Sequence, residues 1–309
     1  MPTKFWISGS LTWVIVLQFL SGIGVVSAHG GIESGRNPWT VWNANPLPSL
    51  GLILAAYLYV TGLNRWIRPS HPVSGWQRTS FFSGILVMFI ALQSPVDPLA
   101  EHYFFIHQAQ HLALRMVGPL LILLGAPLTP ILRGLPPWAL LGVVRPIVRS
   151  PWGRKVYNFI TNPVLTSFLF VGMLYLWQVP TLHNVAVRNE AVHALMHFTM
   201  MISGFLFWWL VVDPKPHRSR LHHGLRVLYL GLIVIPNTIL GAGITFNSEF
   251  IYTAYSEVEQ PFALRPLVDQ QLGGLLLWVV GDMMSILTAG IVMVMWWQKE
   301  EAELNATAE

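Results

Sequence analysis

No cysteine occurs in the 309 residues. That excludes disulfides and thiolate metal sites, and it leaves compartment to be read from topology rather than redox chemistry. Charge is scarce: Asp, Glu, Lys and Arg make up 10% of the chain, against about 25% in soluble domains. With 53% hydrophobic residues, 14 Trp and 16 Phe, this shortage excludes an ordinary water-soluble fold. Internal repeats and low-complexity tracts are lacking, so repeat architectures drop out. No serine, cysteine or carboxylate pair makes a nucleophilic or general acid–base constellation, so the chain is not expected to be an enzyme. The basic excess, 18 Lys and Arg against 14 Asp and Glu, is scattered over loops. It fits a membrane orientation signal and not nucleic-acid binding.

Apolar runs are what the chain has instead. A spanning helix takes roughly 20 apolar residues, and such runs lie near 46–64, 77–94, 102–125, 163–180, 191–212, 226–246 and 269–297. They are apolar all round, and none alternates as a barrel strand does. The expectation is an all-α, polytopic transmembrane helical bundle of seven spans over 46–297. Residues 1–28 read either as a signal peptide, with Lys4, an apolar core and small residues at "VSA", or as an eighth span. Residues 29–45 form an extracytoplasmic segment, and 298–309 a short polar cytoplasmic tail that should fray. The Pro-punctuated segment 128–160, with Trp138, Trp152 and several arginines, should lie along the cytoplasmic interface.

Lys and Arg set the orientation. Arg65, Arg68, Arg78, Arg133, Arg145, Arg149, Arg154, Lys155, Lys215, Arg218, Arg220, Arg226 and Lys299 fall on one side of the expected bundle. The other side holds Arg36, Arg188 and Arg265. The positive-inside rule makes the first side, with the C-terminus, cytoplasmic in the inner (plasma) membrane. The starts of spans three and five then face outward.

Both of those starts are polar. Span three opens with "HQAQHLALR" (107–115) and span five with "HALMHFTMM" (193–201). His107 and His111 share one helical face, as do His193, Met196, His197 and Met200. If the helices are neighbours, four imidazoles converge at one depth. Imidazole suits copper, zinc, iron and nickel, and thioether adds a preference for Cu(I), so copper is the expected metal. Other readings stay open here: hydrogen-bonded packing histidines, a proton relay, a b-type haem electron carrier, or a copper transporter. Two haems would be crowded by histidines one turn apart, whereas one haem fits the depth. His102 and His183 are possible additional ligands. His29 would join them through its imidazole and a free α-amine if cleavage followed Ala28.

"PLVDQQLGG" (266–274) opens span seven. Asp269, Gln270 and Gln271, with Gln110, are expected to orient the imidazoles, as metal-bound histidines usually require; a polar helix cap is the alternative for the group at 269–271. Gly273 and Gly274 permit close helix approach, and Asp97 in "SPVDP" reads as a turn residue. Arg115 lies well inside span three, where an unpaired charge costs at least roughly 2.5–3.5 kcal/mol. Asp282 of span seven reaches similar depth, so a structural Arg115–Asp282 ion pair is expected.

Taken in order, "HQAQHLALRMVGPLLILLGAP", "NPVLTSFLFVGMLYLWQVP", "HALMHFTMMISGFLFWWLVVDP" and "PLVDQQLGGLLLWV" resemble the caa3-type cytochrome c oxidase assembly factor family, CtaG, over about 46–297. The resemblance implies a part in making a haem–copper oxidase functional through copper delivery, with the oxidase subunits as partners and the copper donor left open. Matched by motif, it points to His107, Gln110, His111, His193, His197, Asp269, Gln270 and Gln271. Two positions depart from the family pattern: Gln178 stands where His is frequent, and Met196 where an acidic residue is frequent.

Overall fold

The computed structural model describes residues 37–42, 45–67, 72–212, 214 and 221–308. The expected signal peptide or eighth span, and His29, lie outside the described residues. Among those residues the fold is all-helical, without strands. The principal helices are α1 (Pro46–Arg65), α2 (Gly75–Gln93), α3 (Val96–His102), α4 (Phe104–Leu124), α5 (Leu128–Gly134), α6 (Pro151–Ile160), α7 (Pro163–Gln178), α8 (Pro180–Arg188), α9 (Glu190–Val212), α10 (His223–Thr245) and α11 (Pro266–Gln298), with a further helical stretch over 137–149.

Local chemistry explains several helix starts. The side chains of Asn45 and Asn162 each accept a backbone N–H two residues on, and a proline follows each. Such a cap satisfies an orphan donor, and proline lacks the next one. Ser74 and Gln77 form a reciprocal capping box at α2. Four helices (α1, α9, α10 and α11) are each long and apolar enough to cross a membrane. Three bent pairs, α2–α3 at 48°, α4–α5 at 77° and α6–α7 at 54°, bring the number to as many as seven if each pair counts as one span. These correspond to the seven apolar runs.

The bends fall where the sequence breaks helices. Ser94 is extended ahead of Pro95, and Asn162 is extended ahead of Pro163. Between α4 and α5, Ala126 adopts φ 48°, a left-handed conformation uncommon outside glycine, just before Pro127. The third span starts later than expected. Tyr103 is extended, so α4 begins at Phe104, and His102 belongs to the separate short helix α3.

The segment expected to lie along the interface divides. Its first part, α5, packs back against α1. A Cβ on Gly62 would lie 1.7 Å from the Pro130 carbonyl oxygen, and one on Gly134 would lie 2.0 Å from that of Leu58. Two glycines thus let the backbones touch. The remainder leaves Trp138, Ile147, Val148, Trp152 and Phe159 exposed. The polar C-terminus does not fray as expected, because the helix of α11 continues beyond its apolar span, which ends at Gln298, as far as Ala308.

Successive spans reverse direction, so one end of the bundle gathers the starts of α1, α4, α9 and α11. The links 94–103, 179–189 and 246–265 lie at this same end. Beneath it an apolar cluster contains Phe104, Trp177, Met196, Met200, Tyr252 and Tyr255. Farther along, Phe170, Phe207, Trp208 and Tyr229 fill a second.

Candidate metal centre

The α4 start is held from outside its own sequence. Tyr103 supplies no side-chain cap. The Asp269 carboxylate at the start of α11 accepts instead, from Phe104 N at 2.8 Å and Phe105 N at 2.9 Å. A carboxylate at a helix N-terminus satisfies orphan donors and complements the dipole. Gly273 lets α11 lie this close, since a Cβ there would come within 2.3 Å of the Phe104 ring. Gly274 plays the same part towards Thr245 of α10.

A second close approach sets α9 beside α4. Residues Ala113–Val117 form a π-helical turn. The Arg115 carbonyl accepts from Trp208 Nε1 at 3.1 Å. A Cβ on Gly204 would sit 2.3 Å from that same oxygen. Two polar helix starts are thereby brought face to face.

The four expected histidines do converge. Ring centroids are 4.3 Å apart for His107 and His111, and 4.3 Å for His193 and His197. Between the helices, His107 lies 4.9 Å from His193 and 5.5 Å from His197, and His111 lies 5.3 Å from His197. One ring nitrogen each from His107, His111 and His197 lie within 4.8 Å of one another. Most of these nitrogens have no partner. His107 Nε2, both nitrogens of His111, His193 Nε2 and His197 Nε2 are buried without a hydrogen bond. Buried polar atoms are normally paired, and each orphan costs about 1–3 kcal/mol. These nitrogens form a buried group that could hold a metal ion.

The other expected site residues fare differently. His183 joins the cluster, 5.1 Å from His107, but both its nitrogens are engaged, Nδ1 with the Trp177 carbonyl at 2.9 Å and Nε2 with the Tyr255 hydroxyl at 2.8 Å. Burial pushes its imidazole down to about 4. His102 bonds the Glu259 carbonyl at 2.8 Å and stands apart from the four. Met196 and Met200 are wholly buried among the aromatic residues of the upper cluster.

Three of the polar residues expected to orient an imidazole, Gln110, Asp269 and Gln270, bond elsewhere. Gln110 donates to the Ala91 carbonyl and to Asp97, tying α4 to the α2–α3 bend. Asp269 caps α4. Gln270 accepts from Ile251 N and donates to the Glu249 carbonyl, fixing a loop. Gln271 is only partly buried. Gln110, Asp269 and Gln270 start from the right end of the bundle but spend their hydrogen bonds on backbone and, for Gln110, also on Asp97. The Arg115–Asp282 ion pair is also corrected. Arg115 donates from Nη2 to the Phe170 carbonyl at 3.0 Å and stacks 3.6 Å over that ring. Asp282 accepts from Asn237 at 2.9 Å and Thr238 at 2.6 Å.

The groups that do reach the imidazoles come from elsewhere. The Tyr255 hydroxyl lies 2.6 Å from His107 Nδ1, and burial pushes it well above its ordinary range. It sits in the turn Thr253–Ser256, latched to α8 by Asn184 contacts to Thr253 and Ala254 and by an Arg188–Glu257 ion pair at 2.6 Å. Gln178 donates to Gln108 at 2.6 Å and accepts from Tyr252. A tyrosine 148 residues from its histidine carries no local sequence signal.

The family model described as cytochrome c oxidase caa3 assembly factor (Caa3_CtaG) matches residues 57–299. An uncharacterized protein of Mycobacterium bovis is 26% identical over 263 residues, covering 83% of this chain and 39% of its own. One of Mycobacterium leprae is 25% identical over 261 residues, covering 84% and 40%. The chain thus spans about two fifths of the length of these curated relatives. No solved structure matches. A helical bundle with paired histidines at one end, matched by a single family model over most of its length, belongs to the cytochrome c oxidase caa3 assembly factor family, Caa3_CtaG.

Proposed function

We propose that this membrane protein binds copper in the cluster of His107, His111, His193 and His197 and serves haem–copper oxidase assembly by passing that ion to the oxidase. The observation that carries the reading is the set of buried, unpartnered imidazole nitrogens. An ion held at about 2 Å has ligand nitrogens about 3.3 Å apart. Modest ring rotations from the present spacing reach that value. Imidazole alone also accepts zinc; the family's tie to an oxidase favours copper. Met196 and Met200, buried in the neighbouring apolar cluster, remain candidate thioether ligands. By the positive-inside rule, Arg133, Arg145, Arg149, Arg154 and Lys155 at the opposite end make that end cytoplasmic, and the cluster faces outward.

A haem is disfavoured by the same spacing. Rings in edge contact at 4.3–5.5 Å leave no slot for a macrocycle between them. The test is metal analysis of detergent-purified protein after loading with Cu(I), Cu(II) or Zn(II), beside a His107→Ala/His111→Ala variant. Copper bound by the parent and lost by the variant, together with lost oxidase maturation, supports the reading. Equal copper in both overturns it, and a haemochrome spectrum from the parent would favour the haem carrier.

A further inference from the structure

A chain of hydrogen bonds runs from a backbone carbonyl to the histidine cluster. The Trp177 carbonyl contacts His183 Nδ1 at 2.9 Å, His183 Nε2 contacts the Tyr255 hydroxyl at 2.8 Å, and that hydroxyl contacts His107 Nδ1 at 2.6 Å. Each group has a limited inventory of protons, and this inventory fixes the direction of the chain. A carbonyl only accepts, so His183 carries a proton on Nδ1. A neutral imidazole has one N–H. His183 is fully buried and its two contacts are both neutral, so a charged ring would be left uncompensated. Its Nε2 is therefore a lone pair, and Tyr255 donates to it. The tyrosine has one proton, which is now committed. Its oxygen can only accept from His107, which must carry its proton on Nδ1. The atom left over is His107 Nε2, buried and without a partner, and it is a lone pair.

We infer that Tyr255 and His183 are positioning residues, which lock His107 into the Nδ1–H form and present its Nε2 as a metal-ligating lone pair. The inference rests on the copper reading above and deepens it. Neither residue touches the ion; they act through His107. The same chain fixes the ring's rotation, because a hydrogen bond at Nδ1 leaves the plane one orientation. Outer partners of this kind orient metal-bound histidines generally. Here the orienting group is a hydroxyl, itself aimed by a second histidine. The latch of Asn184 and Arg188 onto the Tyr255 turn holds the chain together.

The test has two arms. In the first, copper affinity is measured by ligand competition for the parent, Tyr255→Phe, His183→Leu and the double variant, with melting temperature as the folding control. Each single variant should lose 10–100-fold in affinity, about the usual cost of removing such a partner. The double variant should be no worse than either single one, because the pair acts as a unit. In the second arm, the metal-free parent labelled with 15N-histidine is measured in detergent, with His107 assigned by its loss in His107→Ala. A pyrrole-type Nδ1 and a pyridine-type Nε2 are expected. An Nε2–H signal for His107 overturns the inference, as does unchanged affinity in a folded Tyr255→Phe protein. If the variants do not fold, the parent spectrum alone decides. A parent showing the expected spectrum but taking no copper overturns the copper reading while supporting the hydrogen-bond chain.

Discussion

Gly204 marks the tightest point between the two histidine helices. The atom that an added Cβ would strike is a backbone oxygen, which has no rotamer to escape into. Gly204→Ala should therefore push α9 away from Arg115, destabilise the protein by about 1–3 kcal/mol and reduce metal stoichiometry. A detergent melting curve beside metal analysis checks this; a parent-like melt with full loading sinks it. At Arg115 the sequence misled for a definable reason. Counting residues along two helices gives depth but not rotation. One extra residue per π-turn rotates the remainder of the helix by about 100°, and both α4 (Ala113–Val117) and α11 (Leu276–Val280) contain such a turn. Arg115 consequently meets Phe170 and not Asp282. Charge reversal of both, Arg115→Asp with Asp282→Arg, should show no rescue over the single variants in a stability cycle. His183 adds a pH dependence. Its buried pKa of about 4 lies below the ordinary 6.5. Its contribution is present above pH 6.5 and is lost as pH falls from there towards 4. The melting temperature should drop across that window, and His183→Leu should flatten the decline.

Helices were legible where apolar runs coincide with local stop and start chemistry: Asn45–Pro46, Ser74 with Gln77, Asn162–Pro163. The bend angles were not: the apolar runs end at Ser94 and Gly125, but mean hydropathy carries no information on the direction in which the chain continues. The cap on α4 was likewise hidden, since its acceptor lies 165 residues away from Phe104. Asp269 was legible as polar and well placed, but its partner was misjudged. That cap yields a prediction at the scale of the helix. Asp269→Ala leaves two amides unpartnered at the turn that carries His107, and the first turn of α4 should fray. Hydrogen exchange at Phe104 and Phe105 should speed up and copper affinity should fall, whereas Asp269→Asn, which keeps one acceptor, should lie between. Parent-like exchange in the alanine variant would show that the cap is dispensable.

Across the molecule, seven apolar runs and two histidine pairs sufficed to indicate the bundle and the end at which a metal could sit. The pairing of α8 with the Tyr255 turn was beyond reach: both are short and are joined by long-range contacts. The absence of cysteine makes topology directly measurable. A single Glu257→Cys variant should react with a membrane-impermeant maleimide from outside intact cells, and Arg154→Cys only after permeabilisation; the reverse pattern inverts the bundle.

The unpartnered nitrogens have a consequence for the protein's lifetime in the membrane. An empty cluster holds several buried atoms at about 1–3 kcal/mol each, so vacancy itself weakens the fold. A ligand that binds only the folded form stabilises it by about 2.7 kcal/mol at a hundred times its Kd. Occupancy and endurance are therefore one variable. In copper-starved cells the chain should melt earlier and be cleared faster by membrane proteases than in copper-replete cells, a difference that a pulse-chase measurement would read and that His107→Ala/His111→Ala should abolish. On the proposed copper reading, supply of the metal would set how many copies of the protein survive.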